Sequence, residues 1–124
     1  MIQDFKDLVV WQKAVVLVKE IYKLTKTFPP EEQFGLTSQI RRAAISVSSN
    51  IAEGHSRKGR EFPHFLSIAR GSLAEVESQL LIAVELNYIS STDAIKLRDL
   101  ASEIYRMMGA LSKKLTPRPS PLTP

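Results

Sequence analysis

The sequence predicts an all-α protein, an antiparallel up-down-up-down four-helix bundle. In four separate segments, apolar residues recur at steps of three and four, which is the spacing of one face of an α-helix. Connections of about five to eight residues join these segments, and such short connections place neighbouring helices antiparallel. No stretch shows the strict alternation of apolar and polar residues that is typical of a half-buried strand.

The first helix is predicted over residues 8–27. Asp7 can accept the free amide hydrogens at its start, and Phe28-Pro29-Pro30 ends it because proline cannot continue the hydrogen-bond ladder. We expect its buried stripe to consist of Leu8, Trp11, Val15, Val18 and Tyr22.

The second helix is predicted over residues 35–52, followed by a short polar connection at residues 55–59. Gly54 is the expected C-cap, since glycine adopts the left-handed conformation without a Cβ clash. The expected buried stripe is Leu36, Ile40, Ala44, Val47 and Ile51.

The third helix is predicted over residues 60–87. Pro63 falls in its first turn, where a missing amide hydrogen is tolerated, and Asn87 can end it. Its expected stripe is Phe62, Phe65, Leu66, Ala69, Leu73, Val76, Leu80 and Ala83. A second face carries small residues, for which packing inside the bundle and a contact between subunits both remain open: Ser67, Gly71, Ala74 and Ser78.

The fourth helix is predicted over residues 92–115. Ser90 and Asp93 have the spacing of a capping box, with Asp in place of the usual Glu. The expected stripe is Ala94, Leu97, Ala101, Ile104, Met108, Leu111 and Leu115.

Composition indicates one soluble domain. The 124 residues fit a bundle over residues 1–115 and a tail, residues 116–124, whose four prolines predict disorder. The absence of cysteine excludes a disulfide framework, thiolate zinc sites and a cysteine nucleophile. We expect neither a secretory signal nor a membrane span, which needs roughly 20 apolar residues, and therefore a cytoplasmic protein.

The positive charge is concentrated in one quarter of the chain. The net charge is +4, and residues 41–70, with six bases and two acids, carry a net charge of the same size. Lysine and arginine bind phosphates regardless of the nucleotide sequence. The alternative is that these bases form a solvated face, and that Arg41 and Arg70 form buried ion pairs with carboxylates of other helices. The candidate nucleic-acid-binding residues are Arg41, Arg42, Arg57, Lys58, Arg60 and Arg70.

Three of these bases, Arg57, Lys58 and Arg60, are the better phosphate candidates because the connection that carries them should be exposed. No aromatic residue interleaves with them, so stacking of unpaired bases is not predicted.

Polar residues and glycines of the second and third helices are interpreted as structural. Glu53 lies near a helix C-terminus, where a carboxylate is unfavourable unless a cation such as Arg57 or Arg70 compensates it. Capping and internal pairing are the favoured role, and a functional pocket is the alternative. The set is Asn50, Glu53, Gly54, Gly71 and Glu75.

Neither catalysis nor metal binding is predicted. Glu61-x-x-His64 matches half of a di-iron signature, which needs that motif twice and two further glutamates, and His55 is the only other histidine. Neither a nucleophile elbow nor a phosphate-cradling glycine loop is present. We therefore expect no enzyme activity and no cofactor.

An ordered set of short segments resembles a known family. The most specific segment is SVSSNIAEG at residues 46–54. The others are FKDLVVWQKA at 5–14, FP at 28–29, FGL at 34–36, QIRRAA at 39–44, EF at 61–62, FL at 65–66, IARGSLAE at 68–75 and LNYI at 86–89. Together, over about residues 3–115, they resemble the four-helix-bundle family of 23S rRNA-intervening-sequence proteins.

The resemblance implies a bacterial cytoplasmic protein without enzymatic activity. Members are encoded in insertions within bacterial large-subunit rRNA genes and at other bacterial loci, and for most of them the biological role is unknown. They are similar to the accessory protein of diversity-generating retroelements, a basic pentameric barrel that binds nucleic acid and the reverse transcriptase, which implies a homopentamer here.

Two functional hypotheses follow from these observations. The first is a non-enzymatic oligomer that binds nucleic acid, either RNA or an RNA–protein complex, through its basic surface. The alternative is a protein-interaction or adaptor module with a polypeptide partner.

Overall fold

The computed structural model describes residues 4–115, and this part of the chain folds into four long α-helices. Two short 3₁₀ turns, Phe5–Asp7 and Pro30–Glu32, precede the first and second helices, and residues 4–115 contain no strand. The all-α fold class is therefore confirmed, whereas the predicted disordered tail lies outside the described residues. The helices are α1 (Val9–Thr25), α2 (Leu36–Arg57), α3 (Glu61–Glu85) and α4 (Ser91–Leu115).

Contacts at two positions along each pair show that α1 and α4, and likewise α2 and α3, run in opposite directions. The start of α1 lies beside the end of α4, and the end of α1 lies beside the start of α4. In the α2–α3 pair, the hydroxyl of Ser46 is hydrogen-bonded to that of Ser72, whereas Gly54, nearer the end of α2, lies against Phe62 at the start of α3. None of the described helices is apolar over enough of its length to cross a membrane.

One apolar core collects side chains from all four helices. Helices α2, α3 and α4 bury the predicted stripes, except that Leu36, Phe65 and Leu111 are half-buried and Leu115 is exposed. Burying each large aliphatic side chain stabilises the fold by roughly 1.5–3 kcal/mol before the entropy of ordering is subtracted. The largest fully buried side chains are Leu17, Ile21, Ile40, Val47, Ile51, Leu66, Leu73, Val76, Leu80, Ile104 and Met108.

Helix α1 turns a different face to the core from the one predicted. Of the predicted stripe, Leu8 at the N-cap is buried, whereas Trp11, Val15 and Val18 are only half-buried and Tyr22 is exposed. The helix is apolar around most of its circumference, so two adjacent stripes fit the helical spacing equally well, and only packing against the other helices decides between them. The buried stripe is Val10, Ala14, Leu17 and Ile21.

The predicted cap of α1 is also wrong. Asp7 belongs to the preceding 3₁₀ turn, and Leu8, whose side chain cannot form a hydrogen bond, occupies the N-cap of α1. Asp4 caps that turn instead, and its Oδ1 accepts the Lys6 amide hydrogen at 2.9 Å.

Helix α2 continues through Gly54 and ends at Arg57, so the predicted C-cap at Gly54 is wrong. Gly54 is buried, and a Cβ built on it would lie 2.9 Å from the Phe65 Cβ and 3.2 Å from the Phe62 carbonyl oxygen. The glycine is thus required by the close approach of α3. The chain turns instead at Lys58 and Gly59, whose φ angles are +63° and +56°.

Helix α1 ends at Thr25, two residues before the predicted end, whereas the predicted signals at the start and end of α3 and at the start of α4 are confirmed. Pro63 lies in the first turn of α3, and Asn87 has a φ of +61° just after α3. The Ser90 hydroxyl oxygen accepts the Asp93 amide hydrogen at 3.1 Å before α4.

We expect Gly54→Ala to lower the free energy of unfolding by about 1–3 kcal/mol, because the new methyl group overpacks the α2–α3 contact. Gly109→Ala in α4 is the matched control, since its Cβ would meet only the Arg70 guanidinium, at an ordinary 3.7 Å. The free energy of unfolding of Gly109→Ala should rise by about 0.5–1 kcal/mol, because alanine has a better helix propensity than glycine. Urea unfolding measures both, and equal effects of the two substitutions would contradict the close approach at Gly54.

Candidate nucleic-acid interface

Arg57 is the one predicted phosphate contact that the described residues neutralise. Its Nε donates a hydrogen bond to the Glu53 Oε1 at 2.9 Å, and its Nη1 lies 3.6 Å from the Glu61 Oε2. The hydrogen bond to Glu53 and then the charge of Glu61 raise the pKa of the Arg57 guanidinium. The compensation predicted for Glu53 is therefore confirmed with Arg57 as the cation, which leaves Arg57 a weaker candidate for phosphate binding.

Arg41 is held by α1 without a carboxylate. Its Nε donates to the buried Thr25 Oγ1 at 2.8 Å, and Thr25 in turn donates to the Ile21 carbonyl oxygen at 2.7 Å. The guanidinium carbon lies 4.5 Å from the centre of the Tyr22 ring. Cation–π contact and hydrogen bonding thus fix the side chain and leave its positive charge uncompensated.

Arg70 is fixed in a similar way against α4. Its guanidinium carbon lies 4.1 Å from the centre of the Tyr105 ring, and its buried Nε has no hydrogen-bond partner among residues 4–115. Neither Arg70 nor Arg41 has a carboxylate within 4 Å in the described part of the chain. The buried ion pairs that were the open alternative for these two arginines are therefore not formed.

The remaining three candidates, Arg42, Lys58 and Arg60, are exposed. Over residues 4–115 they make no ion pair and no side-chain hydrogen bond. Their charges face solvent, as direct contact with phosphate requires.

The structure separates the candidate bases into three places. Arg41 and Arg42 lie in the first half of α2 beside the end of α1, whereas Lys58 and Arg60 form the α2–α3 turn. At 1.5 Å per residue, Arg42 and the end of α2 are roughly 22 Å apart. Arg70 lies between α3 and α4, so the predicted surface is not one cluster.

A depression beside Arg41 and Arg42 contains residues that sequence reasoning did not single out. It has a volume of about 450 Å³ and lies between the end of α1 and the first half of α2. The helical spacing predicts a core position for Tyr22, and Phe34 stands out only within the FGL segment that resembles the family, so neither ring is predicted from the sequence to line a binding site. The lining residues are Tyr22, Gln33, Phe34, Thr37, Ser38, Arg41, Arg42 and Ile45.

The turn that carries Phe34 is held by Glu32. The Glu32 carboxylate accepts the Leu36 amide hydrogen at 3.2 Å and the Tyr88 hydroxyl hydrogen at 2.7 Å. The hydrogen bond to Tyr88 and then that to Leu36 lower the pKa of Glu32. A carboxylate at the start of α2 also complements the helix dipole, so the turn is tied both to α2 and to the α3–α4 connection.

The predicted structural polar residues do not form one site. The Asn50 amide donates to the Ser46 carbonyl and hydroxyl oxygens at 2.8 and 3.0 Å, and Ser46 is bonded to Ser72 of α3. Asn50 thus has the structural role expected of it. Glu75 is exposed and lines a groove that Arg42 also lines, between the first half of α2 and the middle and second half of α3.

Gly71 is exposed, and a Cβ built on it would meet no atom within 4 Å. Ser67, Ala74 and Ser78 on the same face of α3 are exposed as well. Packing inside the bundle is therefore the wrong explanation for these small residues, because no other part of the described chain covers them.

Within residues 4–115, no three histidine or acidic side chains are grouped so that they could hold a metal ion. Glu61, half of the weak di-iron signature, lies near the Arg57 guanidinium instead.

The fold and its uncompensated bases define a small basic four-helix-bundle protein. The sequence pattern of the family described as 23S rRNA-intervening sequence protein matches residues 6–110, so the chain belongs to this family. A solved structure from Bacteroides thetaiotaomicron VPI-5482, a protein with unknown function from the S23 ribosomal protein family, is similar, with a TM-score of 0.78 at 25% identity. The similarity covers 85% of this chain and 99% of that chain. No curated protein matches the chain significantly.

We expect Tyr88→Phe to raise the pKa of Glu32 towards its ordinary value of 4.5. Because the folded-state pKa lies below the unfolded one, ionised Glu32 stabilises the fold above pH 4.5, and this contribution disappears as the pH falls through the lowered value. The variant should therefore lose stability less steeply on acidification than the wild type. An NMR titration of the Glu32 carboxyl carbon measures the change, and an unaltered pKa would contradict the contact.

Proposed function

We propose that this protein is a non-enzymatic oligomer that binds RNA, alone or within an RNA–protein complex, through its basic surface. The observation that carries the proposal is that five of the six candidate bases, all except Arg57, have no carboxylate within 4 Å over residues 4–115. Of the ten other bases in residues 4–115, three have such partners, since Lys6 pairs with Asp4, Lys13 with Glu103 and Lys23 with Glu20, and seven have none. What distinguishes residues 41–70 is the excess of six bases over two acids.

The physical basis of binding is electrostatic. A cation that meets a phosphate releases the condensed counterions of the nucleic acid, which favours binding at low salt. A base already paired with a carboxylate contributes little, because its charge is compensated before the nucleic acid arrives. The uncompensated bases at both ends of α2 belong to the segment, residues 41–70, whose net charge equals that of the whole chain, so we expect them to supply much of the attraction.

The outward face of α3 supports self-association. Between residues 67 and 82, the exposed side chains of α3 include one charged group, Glu75, and three large apolar ones, Ile68, Leu81 and Ile82, at 40–45% exposure. The small residues of this face, Ser67, Gly71, Ala74 and Ser78, allow a second helix to approach closely. We propose this face as the contact between subunits, and the family resemblance implies a pentamer.

A polypeptide partner on the same face of α3 is the second candidate function. Exposed apolar side chains favour it, since protein partners bury such groups. It predicts association that is insensitive to salt, whereas phosphate binding weakens as salt rises.

We expect Arg42→Gln to weaken RNA binding and to reduce the slope of log Kd against log salt by about 0.7–0.9 for each phosphate that the protein no longer neutralises. The double variant Lys58→Gln with Arg60→Gln removes two bases and should reduce the slope by up to twice as much. Lys13→Gln removes the same charge from a base that Glu103 already compensates, so its slope should equal that of the wild type. Salt-titrated fluorescence anisotropy measures the slopes. Equal slopes for all proteins, or no salt dependence, would exclude these bases as phosphate contacts.

For assembly, we expect Ala74→Arg to convert the oligomer into a 13.9 kDa monomer, because a charged side chain would be desolvated against the neighbouring subunit. Ala110→Arg makes the same change at an exposed alanine of α4 and should leave the mass unchanged. Light scattering after size-exclusion chromatography gives the mass. A monomeric wild type at every concentration would exclude self-association, and dissociation by both variants would show that the α3 face is not its specific site.

A further inference from the structure

We propose that the depression between α1 and α2 binds an unpaired nucleobase, stacked on Phe34, with Arg41 and Arg42 binding the adjoining phosphates. The ligand would be a single-stranded segment such as an RNA loop or end, because a base inside a duplex cannot present its face to a side chain. This inference rests on the proposed function and adds to it the site and the form of the nucleic acid.

The first observation is the exposure of Phe34. Its side chain is 90% exposed, whereas the next most exposed large apolar residue of the described chain, Ile95, is 56% exposed. A phenylalanine left in water forfeits the stabilisation that burial would give, so this ring does not serve the core of the bundle.

The second observation is that the backbone around the exposed ring is held in place. The Gly35 amide donates to the Glu32 carbonyl oxygen at 2.9 Å, and the Glu32 carboxylate accepts hydrogen bonds from Leu36 and Tyr88. The Tyr88 ring also lies against Phe28, with 5.5 Å between the ring centres. Because the turn is ordered before any ligand arrives, binding would lose little backbone entropy.

The third observation is the chemistry of the lining. The depression of about 450 Å³ has two arginines and no carboxylate in its lining, which favours an anionic ligand. Beside Phe34 lie the Gln33 amide and the Thr37 and Ser38 hydroxyls, groups that can hydrogen-bond the edge of a base. An aromatic face next to fixed cations is the arrangement with which proteins bind single strands.

Arg41 is already positioned for this role. Its Nε bonds to Thr25 and its guanidinium lies over Tyr22, so the charge is held at the depression without being neutralised. Arg42, one residue further along α2, is exposed and unpaired within residues 4–115. The two cations thus line the same depression as the Phe34 ring.

The test measures binding of a short single-stranded oligoribonucleotide that contains 2-aminopurine, and of the same strand annealed to its complement. Phe34→Ala should weaken binding of the single strand roughly tenfold, the effect expected for loss of one stacked base. Binding of the duplex and the salt slope should be unchanged, because every cation that meets a phosphate is still present. Phe34→Trp should retain both the affinity and the quenching of 2-aminopurine fluorescence that stacking produces.

Ile95→Ala is the matched control, because it removes an exposed apolar side chain from α4, and it should bind like the wild type. Unchanged single-strand affinity in Phe34→Ala would overturn the inference while salt-dependent duplex binding still supported the proposed function. A wild type that binds neither form would remove both. Loss of oligomer mass in Phe34→Ala without loss of single-strand binding would assign the ring to a subunit contact instead. Equal, Phe34-dependent binding of poly-glutamate would assign it to an acidic polypeptide.

Discussion

The close approach of α2 and α3 is the constraint on which the rest of the structure depends. Gly54 has no side chain, and the Phe62 and Phe65 side chains occupy the space where its Cβ would lie. Because the two helices lie this close together, the Ser46 and Ser72 hydroxyls form a direct hydrogen bond between α2 and α3. The chain reverses direction between these helices within three residues, Lys58 to Arg60. The packing of Gly54 against α3 therefore places two uncompensated bases, Lys58 and Arg60, at one end of the bundle.

The way in which the protein holds its arginines matters as much as their number. A carboxylate fixes a guanidinium and also cancels its charge, whereas a tyrosine ring fixes it and leaves the charge available. The structure uses tyrosines for Arg41 and Arg70 and carboxylates for Arg57. Arg41 also bonds to a threonine hydroxyl that is buried in α1, which gives a cation in a defined position next to the exposed ring of Phe34.

The sequence predicts those features that depend on periodicity and local turn chemistry. The stripes of α2, α3 and α4 follow from helical spacing, and the turns at Asn87 and Ser90 follow from the residue types that those positions favour. The stripe of α1 does not follow, because this helix is apolar on several faces and its orientation is set by its neighbours. The role of Gly54 does not follow from the sequence either, since a glycine near a helix end is equally consistent with a helix cap and with close contact to another helix.

The candidate site is less predictable than the fold because it combines residues from separate elements. Arg70 and Tyr105, or Tyr22 and Arg41, are brought together only by the packing of different helices. The exposure of Phe34 cannot be read from its neighbours in the chain, since aromatic residues in connections are often buried. By contrast, the concentration of bases in residues 41–70 is visible in the sequence, although their division among three places is not.

The central claim, that RNA binds at the depression that two uncompensated arginines and an exposed phenylalanine ring line together, is tested most directly by photocrosslinking. RNA that contains 4-thiouridine is irradiated with the wild-type protein, and the crosslinked peptides are mapped by mass spectrometry. Crosslinks should fall on residues 33–45, around Phe34, Arg41 and Arg42. Crosslinks confined to the α1–α4 side, around Leu8 and Met107, or none at all, would contradict the claim.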